Sequence, residues 1–235
     1  MSLPRLPVRA RSPLPTVIRL LVVLAAAPAA MVTSGAQPAG AETVGRPVNI
    51  VLEDQFRNRR GTDQLRGDVV VLVYADRHGA EKALELGRKL HLRFHPTAEG
   101  AASTEWSRQP VVGLPGWPAG VRVPDVHVVP IACVPEVPKA LHGVARTRLR
   151  KESPHVSVWL DFEDDLRQNF GMVPAEPNVA VVDTAGSPRG TTSGHLDDLR
   201  FEELVRAVDQ LRLQARPDIR TATLPGAVVP VSGLR

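Results

Sequence analysis

The sequence predicts an α/β fold, with a largely parallel sheet between two helical layers. Three observations carry that expectation. Asp68 to Ala75 (DVVVLVYA) is a continuous, mostly β-branched run, apolar on both faces as a strand buried between two layers must be. Gly79 to Leu92 follows at once with Ala83, Leu86 and Leu90 at helical spacing, giving a βα unit. Further apolar runs then alternate with helical stretches down the chain, the pattern of a three-layer α/β/α sandwich.

In order, Val48 to Leu52 (VNIVL) reads as a short strand, and Glu53 to Gly67 as a polar stretch punctuated by Gly61 and Gly67. The βα unit comes next. Residues 96 to 124 hold five prolines, several glycines, Trp106 and Trp117 and no sustained period, so they read as a Pro/Gly-rich insertion. Val126 to Val134 (VHVVPIACV) is the next strand. Pro130 inside it removes a ladder donor and argues for an edge or a bulge. Lys139 to Lys151 is a basic helix, Val156 to Leu160 a strand, and Asp164 to Phe170 a helical turn closed by Gly171. Asn178 to Asp183 is a strand, and Asp197 to Leu213 a final helix with Leu199, Leu204, Val208 and Leu211 along one face.

The chain has 235 residues, 43% of them apolar and 23% charged, which excludes disorder throughout. Its net charge of +4 is misleading, because Arg5, Arg9, Arg11 and Arg19 stand in the first 41 residues with no acid among them. The remaining 194 residues balance 25 basic against 25 acidic side chains, so the electrostatic footprint of a nucleic-acid binder is missing. Residues 1 to 41 run from a basic start through the apolar stretch Leu20 to Val32 to small residues ending at Ala41, the order of a secretory signal cleaved before Glu42. At 13 residues, with Pro28 inside, the apolar run is short for a span, which needs about 20. Read with Val17 and Ile18 it is instead an uncleaved anchor, the one membrane contact expected. The mature domain is expected over 42 to 216, followed by a flexible tail over 217 to 235. The destination is periplasmic or secreted, where an unpaired thiol such as Cys133 is unusual.

Asp54 to Ala75, a polar loop, a Leu-x-Gly and a buried strand ending in Tyr-Ala, resembles the opening of the thioredoxin-like redoxin superfamily, which includes peroxiredoxins and periplasmic thiol reductases. Val158 to Gly171, then Glu176, Pro177 and the strand NVAVVD, resembles the second half of those domains. The resemblance implies a thioredoxin-like sandwich and a cis proline facing the active site, matched by Pro177. It also implies redox cysteines at the turn between the first long strand and its helix. Here that turn is Asp76-Arg77-His78-Gly79-Ala80-Glu81, with His78 and Glu81 where the two cysteines would stand. A turn without a thiolate has no nucleophile for a disulfide or a peroxide.

Each candidate site has a chemical and a structural reading. Cys133, the only thiol, lies toward the C-terminal end of a strand; it is either a small core residue or a reactive thiol beside the His78 turn. Asp76 and Glu81 suit a helix start as N-cap and first-turn acid, while Arg77 and His78 offer donors to an anion or a partner. His91 and His95 stand four apart, a zinc-like spacing with no evident third ligand. Asp161, Glu163, Asp164 and Asp165 lack the glycine of a calcium loop and suit a solvated helix start. Trp106 and Trp117 either anchor a partner or pin the insertion. No phosphate loop or cofactor fingerprint is present, so no cofactor is expected. The expectation is a secreted, non-catalytic binding or scaffold module whose partner is another protein, contacted through Asp76, Arg77, His78, Glu81 and Pro177. The alternative is a single-cysteine oxidoreductase or peroxidase-like enzyme using Cys133.

Overall fold

The computed structural model describes residues 47 to 215, so the expected leader and tail lie outside the described residues. The strands are β1 (Val51–Asp54), β2 (Arg59–Gly61), β3 (Val69–Ala75), β4 (Val126–Cys133), β5 (Trp159–Asp161), β6 (Asn178–Val182) and β7 (Pro188–Ser193). The α-helices are α1 (Ala80–Phe94), α2 (His142–Glu152), α3 (Asp165–Phe170) and α4 (Asp198–Gln214). One sheet contains all seven strands in the order β2-β1-β5-β4-β3-β6-β7. Within it, the parallel β3-α1-β4 unit beside the antiparallel β6-β7 hairpin, closed by α4, is a thioredoxin-like arrangement.

The β3 run explains why the sheet is covered on both faces. Strand side chains alternate, so Val69, Val71, Val73 and Ala75 enter one core, against Ala83, Leu86, Leu90 and Phe94 of α1 and Phe201, Val205 and Val208 of α4. Val70, Leu72 and Tyr74 enter the other, with Ile50, Leu52, Ile131, Trp159 and the α3 residues Leu166 and Phe170. All seven β3 residues are buried. Each buried Val or Leu contributes about 1.5–3 kcal/mol, so this strand dominates the core.

Several expectations are corrected. The sheet is mixed, since only β3/β4 and β4/β5 pair parallel while β1/β2, β1/β5, β3/β6 and β6/β7 are antiparallel. The two strands that sequence reading missed, β2 (RRG) and β7 (PRGTTS), sit at the sheet edges, where little apolar surface is needed. Pro130 is in a central strand rather than at an edge or bulge. Val69 donates to the Asp125 carbonyl and Val134 to the Asp161 carbonyl, so even-numbered β4 residues turn their nitrogens toward β5. The Pro130 nitrogen therefore faces that side, where β5 begins pairing only at Trp159 opposite Ile131, and no ladder bond is lost. In α4 the inward face is Phe201, Val205, Val208 and Arg212; Leu204 and Leu211 are only partly buried, and Leu199 is 67% exposed.

The insertion between α1 and β4 carries two 3-10 turns, Pro96–Gly100 and Trp106–Arg108. It is fastened at several points. Val112 N–H donates to the Phe94 carbonyl at 2.7 Å, and Arg212 reaches from α4 to the carbonyls of Pro124 (2.9 Å) and Val112 (2.7 Å) while pairing with Asp209 (2.8 Å).

Candidate functional site

The turn after β3 is where a thioredoxin-like fold would place its chemistry, and its local structure follows from Asp76. One Asp76 oxygen accepts the N–H groups of His78 (2.8 Å) and Gly79 (2.9 Å), and the other accepts Ala175 N–H (2.9 Å) from the loop before β6. Burial pushes the Asp76 carboxyl up, but these three amides and the His78 ring outweigh it, and its pKa is held below the ordinary value. The expectation that Asp76 caps α1 is corrected. The helix starts at Ala80 with Gly79 in the cap position, so Asp76 braces the turn ahead of the helix instead.

The same loop closes against the turn. A Cβ on Gly79 would lie 2.7 Å from the Glu176 carbonyl oxygen and 2.9 Å from the Glu176 carbonyl carbon and nitrogen, so only glycine permits this approach. Lys82 pairs with Glu176 at 2.8 Å across the junction. Arg77, His78 and Glu81 are exposed, and Arg77 Nε donates to His78 Nε2 at 3.0 Å. Asp76, Arg77 and His78 are thus gathered beside Ala175 and Glu176, whereas Pro177, expected to share the contact surface, is buried. The cis bond implied for Pro177 is absent: no described peptide is cis, and the Glu176 carbonyl is held by Asn178 Nδ2 at 2.9 Å.

Cys133 ends β4 and is 1% exposed, among Ile131, Tyr74, Trp159, Leu166 and Phe170. Burial, then the carboxylates of Asp161 and Asp164, push its thiol well above the usual range. A low-pKa thiol at the His78 turn is therefore corrected, because Asp76 too disfavours the thiolate. The acid cluster forms a helix start, as its sequence suggests, but not a solvated one throughout. Asp161 is fully buried, and its two oxygens accept the amides of Glu163, Asp165 and Leu166. Asp165 is pushed up by burial and by Asp161, Glu163 and Asp164.

His91 and His95 are occupied by packing rather than poised for a metal. Their rings stack 4.4 Å apart, and Trp106 stacks on His91 at 3.8 Å. His91 Nε2 meets the Trp106 carbonyl at 3.0 Å; His95 meets the His91 carbonyl at 3.2 Å through Nδ1 and Asp125 at 2.9 Å through Nε2. Trp106 thereby pins the insertion to α1, and Trp117 closes its own loop by donating to the Val121 carbonyl at 3.2 Å. Burial and the His95 ring lower the His91 pKa to about 4, against the opposing pull of the Trp106 carbonyl and Asp125. With an unfolded value near 6.5, only the unfolded chain takes up this proton between pH 6.5 and 4. The stabilisation is complete above pH 6.5 and falls away as pH drops toward 4. Urea titrations are expected to show a loss of about 2 kcal/mol between pH 6.5 and 4.5, largely removed by His91→Phe.

Sequence reading missed the carboxylate network at the opposite end of the central strands β3 and β4. Asp68 accepts from Arg122 (2.7 Å), His127 (3.1 Å) and Asp125 N–H (2.8 Å), tying the insertion's end to the start of β3. It also missed Gln55, fully buried, whose side chain clamps Ser153, Val156 and Val158 ahead of β5. Neither carries a spacing that announces it, since the partners lie about 54 to 103 residues away.

No protein-family model matches the chain, and no curated protein matches it. Among solved structures it is similar to the exposed lipoprotein thioredoxin of Streptococcus pneumoniae, at 12% identity over 69% of this chain and 99% of that one, with a TM-score of 0.42. It is also similar to a peroxiredoxin-like protein from Aquifex aeolicus (13% identity, 73% and 88% covered, TM-score 0.43). A third is the thioredoxin domain of a thiol-disulfide oxidoreductase from Bacteroides vulgatus (11%, 70% and 97%, TM-score 0.42). The strand order and the thiol's position, both properties of this chain alone, carry the functional reading.

Proposed function

We propose that the chain is an exported thioredoxin-fold protein that acts as a non-catalytic binding module, contacting another protein through Asp76, Arg77, His78 and Glu81 and the adjoining Ala175 and Glu176. The observation that supports it best is the position of its one thiol. Cys133 is 1% exposed, and burial and three carboxylates raise its pKa, whereas the turn that would present a thiolate holds none. What the turn does present is a braced loop with an exposed Arg and His, a surface able to outlast the chemistry of its fold. Export is inferred from the leader pattern of residues 1 to 41, and no helix among the described residues is long and apolar enough to cross a membrane.

The test is turnover. Insulin-disulfide reduction and peroxide consumption are expected at the blank rate for the protein and for Cys133→Ser alike. Turnover that Cys133→Ser abolishes would establish the single-cysteine enzyme instead. For export, mass spectrometry of the protein recovered outside the cytoplasm is expected to place its first residue at Glu42.

A further inference from the structure

Helix α2 alone among the described α-helices buries no residue. That is an odd state for eleven residues, because a helix this short is marginal in water and depends on packing one face. Its inner side is held by the His142 ring stacked on Phe162 at 3.6 Å, by Arg146 over the same ring at 5.0 Å, and by Arg146 paired with Glu53 at 2.7 Å. Ala145 and Leu149 of the helix are half-buried, but Val144 and, just ahead of the helix, Leu141 point outward. Leu141 is 50% exposed and Val144 64%, three apart and therefore adjacent, and Thr147 and exposed Lys151 continue their line.

Charge marks the same element. From Lys139 to Glu152 there are five basic residues and one acid, whereas the described residues as a whole hold 21 Lys and Arg against 23 Asp and Glu. Arg146 and Arg148 are paired, with Glu53 and Glu152. Arg150 and Lys151 are exposed in the last turn of α2, Arg150 donating to Thr147 Oγ1 at 2.9 Å. We infer that this face of α2 is a docking surface for an acidic segment of a partner protein, with Leu141 and Val144 as anchors and Arg150 and Lys151 as counter-charges. Complementary charge steers such a segment to the helix and fixes its register, and burial of the two side chains supplies the hold. A lipid surface fits less well, because the outward face has two modest apolar side chains and no aromatic to enter a headgroup layer. The surface shares no residue with the 76–81 turn, so either reading survives failure of the other.

The experiment uses the purified full chain and a short fluorescein-labelled peptide of alternating Glu and Leu, read by anisotropy, with phosphatidylglycerol vesicles in parallel. Binding is expected to weaken as salt rises, to fall about tenfold in the Arg150→Glu/Lys151→Glu variant and to fall several-fold in Leu141→Ser/Val144→Ser. The same charge reversal on the other helices, Arg88→Glu/Arg206→Glu, is expected to leave it within about twofold. Circular dichroism checks that every variant is folded. Absence of peptide binding, an equal loss in the control variant, or binding to vesicles alone each overturns the proposal.

Discussion

Arg212→Met is expected to cost about 3–5 kcal/mol of stability, the largest effect of any single side chain away from the apolar core. Arg212 has no exposed side-chain surface, and its donors hold the Pro124 carbonyl, the Val112 carbonyl and Asp209. Methionine fills much of the volume but leaves two carbonyls and a carboxylate without their donor. Both carbonyls belong to the 96–124 insertion, so the substitution also frees that segment from α4. A lowered urea midpoint together with faster proteolytic cleavage between residues 100 and 124 is the expected result. A change below about 1 kcal/mol would mean that the insertion is held by Trp106 and His91 without Arg212.

Gly79→Val is expected to destabilise the fold by roughly 2–3 kcal/mol and to disturb the proposed contact surface more than any change to its exposed side chains. The backbone at Gly79 is ordinary, with φ of −90°, so the cost is steric rather than conformational. The added side chain meets the Glu176 backbone, which cannot rotate aside as a side chain would. Relief requires the 175–177 loop to move off the turn, which loosens the Ala175 amide from Asp76 and separates Lys82 from Glu176. The measurable consequence is hydrogen exchange: the amides of His78, Gly79 and Ala175 are expected to lose protection together. Exchange unchanged at Ala175 would contradict the view that turn and loop form one surface.

The β3 run and the α1 spacing made the centre of the fold legible, because a strand covered on both faces has to be apolar at every position and a helix beside it has to be apolar at every third or fourth. The sheet edges were not legible. β2 and β7 bury little, so their composition is that of a loop, and the antiparallel β6-β7 hairpin leaves no apolar mark on its second strand. The α4 face was misjudged because Arg212 occupies a core position, where its hydrogen bonds to the insertion offset the loss of hydration. In the candidate site, the absence of cysteine at the turn was plain from sequence. The bracing by Asp76 was not, because its third partner, Ala175, lies 99 residues away. The burial of Cys133 followed from its apolar neighbours, whereas the two carboxylates that disfavour its thiolate most, Asp161 and Asp164, arrive from β5 and the turn before α3, which only pairing with β4 brings alongside.

The central claim, a thioredoxin fold without thiol chemistry, is tested most directly by the rate at which Cys133 reacts with a thiol probe from pH 5 to 9, native against denatured. Negligible native reaction is expected across the whole range and, in denaturant, ordinary reaction with an apparent pKa near 8.5. Fast native reaction with an apparent pKa well below that value would contradict it and make the chain a one-cysteine redox protein.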